Sequence, residues 1–348
     1  MNRRKATLGV ALAGVVAGAV ALGLVAAPAG AGQSPTLPKT TPDALVQSVL
    51  TAKVPAMAGT VEVDNNLGLP AVPGIPQAAS GTSQLRVWTD GQNRSRVSIP
   101  TSSSEQTIVD DGTTLYAWNS ADRTVAEHAL RKDAKDAMDK AKQQDLDPAT
   151  VAKNLVSAIK TTSTVTVDGT DTVASRPAYD LVLTPKPAER TLLREVRISV
   201  DAQTRIPLRL TVLADNTDTP AVQIGFSSVD IGPQDPSLFR FTVPPGATVS
   251  HGDQNTKHSA EVANSTDPKL VGNGWDTVIV AHIPTQQPND SRSVLSMVRQ
   301  FGTPVHGTWG SGWVIKTDVA NALLTSDGRV AAGFVPQQVL IQALGGAK

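Results

Sequence analysis

Four Asp-Gly pairs, at 90–91, 111–112, 168–169 and 327–328, punctuate stretches in which apolar and polar residues alternate. Asp-Gly supplies left-handed backbone at little steric cost, and between runs of period two it is the strongest short-range signal of a β-hairpin. A chain built this way is committed to antiparallel sheet. Gln84–Thr89 and Arg96–Pro100 flank the first pair, and Thr107–Val109 and Thr114–Trp118 flank the second. Alternation places Leu85, Val87, Val97 and Ile99 on one face and leaves Arg86, Arg94 and Arg96 for solvent, which predicts a meander with one dry and one wet face. Thr60–Val63, Thr164–Val167, Tyr179–Thr184, Glu195–Val200, Leu208–Leu213 and Val222–Phe226 read as further strands, with turns at Asp168-Gly169 and Asp201–Thr204.

Two helices are expected to cover this sheet. Thr41-Pro42-Asp43 carries a capping hydroxyl, a proline suited to the first helical position and an acid at the positive helix end. Leu45, Val46, Val49 and Leu50 then share one helical face. Asp147-Pro148 opens a second helix with Val151, Leu155, Val156 and Ile159 on one side. Between the two, residues 67–80 read as an apolar loop and the mixed charges of 131–147 as a solvated helix face.

Residues 250–269 lack apolar periodicity and read as a linker. A small α+β unit over 270–348 is predicted beyond it. Its strands are Trp275–His282, Trp309–Lys316 and Arg329–Phe334. One helix starts at Asn289-Asp290, carries Val294, Leu295, Val298 and Phe301, and stops at Gly302 and Pro304; another opens at Pro336 with Leu340, Ile341 and Leu344.

The N-terminus fixes the compartment. Basic Met1–Lys5, the uncharged apolar run Ala6–Ala27 and the small-residue stretch Ala29-Gly30-Ala31 make a secretory signal over residues 1–31. The run also reaches the lower end of a membrane span, so the segment is either cleaved after Ala31 or kept as an anchor. Either way the remainder is expected outside the cytoplasmic membrane, with 32–40 as a polar tether. The chain has no cysteine, hence no disulfide framework and no lipid-modified cysteine. Its net charge is zero, which removes the basic footprint of a nucleic-acid binder, and aromatics at 3% argue against stacking platforms for bases or sugars.

Motifs that would carry catalysis are incomplete. Ser157-Ala158-Ile159-Lys160 matches the S-x-x-K of acyl-enzyme hydrolases, but their S-D-N and K-T-G partners are absent. Gly310-Ser311-Gly312-Trp313 followed by Leu324-Thr325 has the look of a trypsin-like barrel, yet neither the histidine nor the nucleophile turn follows. His128, His251, His258, His282 and His306 show no metal-ligand spacing. Gly272-Asn273-Gly274 lacks the third glycine of a dinucleotide site. No catalytic residue, metal or cofactor is expected.

One resemblance covers residues 41–249. Leu67-Gly68-Leu69-Pro70, the Trp-x-Asp-Gly-x-x-Arg-x-Arg-Val hairpin over 88–97, Asp111–Trp118, Val173–Tyr179, Val200-Asp201 through Ile206-Pro207-Leu208, and Phe239–Gly246 follow one another in the order and spacing of the LolA-like proteins, in the version of high-GC Gram-positive bacteria. The resemblance implies an α+β fold: a curved antiparallel half-barrel with a helical lid, followed here by the small α+β domain. It implies an apolar concave face that receives the acyl chains of lipid or lipoprotein. The sheet residues expected to line it are Leu85, Val87, Val97, Ile99, Leu181, Leu183, Val196, Ile198, Leu208 and Leu210, each of which is first of all a core candidate. The related RseB/MucB sensors place a small domain after the LolA-like one and restrain a membrane-bound anti-sigma factor. A membrane-bound signalling partner is therefore the alternative to a lipid cargo.

Overall fold

A computed structural model describes residues 34–68, 80–101, 103–130, 156–215, 217–251, 268–282, 298, 300–307 and 309–346. The signal segment, most of the apolar loop 67–80, the charged stretch 131–147, most of the linker and the starts of the helices expected at 147 and 289 lie outside them.

Helix α1 spans Pro42–Thr51 and begins as its sequence dictates: the Thr41 hydroxyl accepts from the Ala44 N–H at 3.2 Å and Pro42 takes the first turn. The chain then enters a long meander. Strands β1 (Met57–Asn65), β2 (Gly81–Thr89), β3 (Ser95–Pro100), β4 (Glu105–Asp110), β5 (Thr114–Asn119) and β6 (Thr124–Ala129) follow one another, and residues 156–162 are helical. The chain returns to sheet through β7 (Ser163–Val173), β8 (Arg176–Pro185), β9 (Leu193–Asp201), β10 (Pro207–Ala214) and β11 (Pro220–Ile231), and ends this part with β12 (Thr248–His251).

All twelve strands join one open, curved sheet in the order β12-β6-β5-β4-β3-β2-β1-β11-β10-β9-β8-β7, not closed into a barrel. Every pairing is antiparallel except β12 on β6. The centre is the β1–β11 pair, which joins distant parts of the chain: Thr60 and its partner Ser228 are 168 positions apart. Gly59 makes room there, since a Cβ on it would fall 2.5 Å from the Phe226 ring.

A second sheet holds β13 (Lys269–Val271), β14 (Val278–His282), β15 (Thr303–Gly307), β16 (Gly310–Lys316), β17 (Asn321–Thr325) and β18 (Arg329–Gly333), in the order β13-β14-β18-β17-β16-β15. Helix α2 (Gln337–Gly346) packs Leu340 and Leu344 onto Val280, Val314, Leu323 and Ala331. This sheet is held to the first. The Trp275 indole N–H donates to Ser163 Oγ at 2.8 Å, its backbone N–H donates to Glu189, and the Leu192 N–H donates to the Phe334 carbonyl. Val319, 2% exposed, inserts into the core of the large sheet.

Several local expectations are corrected. Asp168-Gly169 is no turn; it is a bulge inside the 11-residue β7, where the register shifts between Val167 and Thr170 and Gly169 takes φ +85°. A bulge uses the same left-handed glycine as a hairpin, so the dipeptide alone does not distinguish them. The real turn is Ala174-Ser175, with φ of +49° and +62°. Trp275 lies in a 3-10 turn ahead of β14. Helix gives way at Gly302, where expected, and Thr303–Gly307, for which no strand was expected, form edge strand β15, where Pro304 has no ladder bond to lose on its open side.

Candidate functional site

The register of the large sheet sorts its side chains into two faces. Val87 stands opposite Val97, Val61 opposite both Leu85 and Phe226, and Leu210 opposite both Ile224 and Ile198. Ile198 in turn faces Leu181, and Val196 faces Leu183. Ile99 and Leu208 fall in step two residues from Val97 and Leu210. All ten of the residues singled out from sequence therefore lie on one face of one sheet, the inner face. Val87, Leu181, Val196, Leu208 and Leu210 are buried; Leu85, Val97, Ile99, Leu183 and Ile198 are half-buried. Val61, Val63, Ile224, Phe226 and Ile108 share this face and were not singled out. Their strands are visible in the sequence, but nothing local reveals that β1 pairs with β11.

Cover on the inner face is uneven. Over β7–β9 the two helical segments close it: Leu45 and Val46 of α1 and Ile159 pack on Tyr179, Leu181 and Val200. The segments are tied by Lys160 Nζ, which donates to Asp43 at 2.7 Å, while Lys186 Nζ donates to the terminal carbonyls of Lys160 and Thr161. The lysine of the S-x-x-K motif thus fastens helix to helix. Toward β3 and β4 the same face carries half-buried Val97 and Ile99 and Ile108, which is 37% exposed.

The outer face is polar over β7–β11. Arg197 reaches Asp180 at 2.7 Å, Glu195 at 2.8 Å and Asp168 at 3.0 Å, and Arg209 reaches Asp171 at 2.6 Å. Burial raises the Asp180 carboxyl above the ordinary range against the pull of Arg197. Over β3–β6 the outer face is dry instead. The segment after β11 crosses it as a strap: Phe239, 1% exposed, lies under the Arg94 guanidinium, Phe241 stacks on Tyr116 at 5.1 Å, and Val109 and Val125 are fully buried. Arg94 and Arg96 are thus not left to solvent. Arg94 pairs with Asp90 at 2.7 Å and Arg96 donates to the Leu238 carbonyl. The strap supplies an acceptor for Arg96 and a ring for Arg94 that alternation alone could not foresee.

Two shallow concavities are lined by described residues. One, of about 340 Å³, lies at the β7–β8 and β9–β10 turns between Ser175, Arg176, Asp201 and Gln203; the other, of about 280 Å³, lies on the outer face around Thr60, Arg86, Trp88 and Asp230. Neither is on the inner face. Among the described residues no group of three or more His, Asp or Glu is placed to hold a metal ion, and no helix is long and apolar enough to cross a membrane.

No protein-family model matches the chain, and no curated protein matches it. Among solved structures it is similar to the Pseudomonas aeruginosa MucA/MucB complex, at 16% identity over 87% of this chain and 96% of that one, with a TM-score of 0.46. A conserved protein of Thermus thermophilus aligns at 11% identity over 60% of this chain and 96% of its own, TM-score 0.36. A LolA superfamily protein of Nitrosomonas europaea aligns at 13% over 58% and 99%, TM-score 0.24.

Proposed function

We propose that this is an exported, non-catalytic protein that binds the acyl chains of lipid or lipoprotein along the inner face of its large sheet. The observation that carries the reading is the continuity of that face: one apolar surface from β8 to β4, closed by helices over β7–β9 and only half-buried toward β3 and β4. Leu85, Val97, Ile99 and Ile108 are the residues left to meet a chain there. Each methylene removed from water contributes about 0.8 kcal/mol, so a sixteen-carbon chain gains on the order of 10 kcal/mol before ordering costs. Residues 1–31 would export the protein, by cleavage or as an anchor.

Extraction of the purified protein after denaturation, followed by mass spectrometry, should recover lipid, and a fluorescent fatty acid should bind saturably. Failure of both would remove the proposal. A second reading, capture of a membrane-anchored signalling protein, draws on the second sheet being fastened to the first through Trp275, Leu192 and Val319. Cross-linking in membranes distinguishes it: a protein adduct in place of a lipid one favours the second.

A further inference from the structure

We infer that Arg205, at the end of the inner face, is an anion-reading position that takes the carboxylate or phosphate headgroup of the bound amphiphile. The inference rests on the acyl-binding reading above and adds the polar end of the ligand to it.

Six arginines lie between residues 176 and 209. Five have a carboxylate partner: Arg176 with Asp201, Arg190 with Asp276, Arg194 with Asp218, Arg197 with three acids and Arg209 with Asp171. Arg205 has a ring instead. Its guanidinium carbon sits 5.0 Å from the Tyr179 ring centroid, and its Nη1 is buried with no acceptor among the described residues. A ring face satisfies the charge in part and none of the N–H donors. A planar guanidinium whose edge lacks an acceptor is matched by a carboxylate or phosphate, which offers two oxygens to the fork.

The acid that could have neutralised Arg205 is already engaged. Asp201, 1% exposed and in the same turn, accepts from Arg176 Nε at 2.7 Å and Nη2 at 2.9 Å, from the Gln203 and Thr204 N–H groups and from the Thr204 hydroxyl. Burial would raise its carboxyl, but these donors prevail and hold it below the ordinary range.

The backbone adds an independent observation. Arg205 adopts φ +64°, a region where a glycine is strain-free and a long side chain is not. The turn thus holds an arginine in a conformation that favours glycine, and the outlier points to the side chain as the reason. Its place suits a headgroup. Tyr179 lies on the inner face beside Val200, and Leu208, three residues beyond Arg205, belongs to the same face. The turn is at the end of the strands opposite the joint with the second sheet, so the way in is not through that joint.

Displacement of a fluorescent fatty acid from the full chain tests this with palmitate, neutral monopalmitoylglycerol and inorganic phosphate as competitors. The wild type should prefer palmitate over the neutral lipid by about tenfold or more, the range of a charge-assisted hydrogen bond. Arg205→Gly relieves the backbone and should fold at least as well; Arg205→Gln keeps the length. Both should lower the preference to about twofold or less while leaving monopalmitoylglycerol binding unchanged, for loss of the charged donor alone. Displacement by millimolar phosphate in the wild type but not in the variants supports an anion site that free phosphate also reaches, and a palmitate preference without it assigns the site to the lipid headgroup alone. Equal affinity for the two lipids in the wild type, or a preference that survives both substitutions, overturns this inference and leaves acyl binding standing. Absence of binding by any lipid overturns both.

Discussion

The two halves of the large sheet are buried from opposite sides. Over β7–β9 the cover lies on the inner face, where α1 and residues 156–162 press on Tyr179, Leu181 and Val200, and the outer face carries the Arg197 and Arg209 ion pairs. Over β3–β6 the cover lies on the outer face, where the strap places Phe239 under Arg94 and Phe241 on Tyr116, and Ile99 and Ile108 on the inner face are left partly open. One sheet thus has two cores on alternate sides. Alternation decides which residues share a face but not which face is dry. An element arriving from elsewhere in the chain decides that, and a surface left over on the other side is where a ligand finds room.

Substitutions at the two covers should separate the halves. Phe239→Ala should cost the most, about 4 kcal/mol, because a large aromatic leaves a cavity that the strap closes only partly. Its effect on amide exchange should concentrate in β3–β6. Leu45→Ala should cost about 3 kcal/mol and act on β7–β9. Equal loss of protection across the whole sheet in both variants would break the comparison, since it would mean one cooperative core.

Acid should sharpen it. The Asp90 carboxyl is pulled down to about 2: burial opposes this, but the Arg94 side chain and the N–H groups of Arg94, Gln92 and Asn93 prevail. A depressed acid stabilises above its unfolded pKa and loses that contribution as pH falls through the folded value. Asp90→Asn should therefore cost about 1.5 kcal/mol at pH 7, with the gap to wild type closing between about pH 4 and about pH 2. Asp180 has the opposite sign. Its raised carboxyl favours folding below the unfolded pKa and loses that advantage as pH rises through the folded value. Urea midpoints of Asp90→Asn and Asp180→Asn, measured against pH, should diverge from wild type in opposite directions. The smallest effect belongs to the helix tie: Lys160→Ala breaks a half-exposed pair and should change stability by less than about 1 kcal/mol.

Much of this was legible in the chain. The Thr41 cap, the Asp90 and Asp111 turns and the shared face of Leu85, Val87, Val97 and Ile99 follow from period and turn chemistry, because each involves neighbours in sequence. Long-range partners were not. Arg96 meets the Leu238 carbonyl 142 residues away, and no local pattern announces it. The same holds for Val61 against Phe226 and for Val319 in the core of the first sheet. Strand β6 has no clear signature because Thr124–Ala129 is weakly apolar, although Val125 is fully buried and β12 pairs alongside it. Arg205 gives no sign in sequence, where it is one arginine among several. Its distinction is that, among the described residues, a ring and no acid stands beside it.

Photo-cross-linking with a diazirine fatty acid, followed by peptide mapping, tests the central claim most directly. Adducts displaced by excess palmitate should fall on inner-face residues of β2–β4, Leu85, Val97, Ile99 and Ile108. Adducts confined to outer-face residues such as Trp88, or insensitive to palmitate, would contradict it.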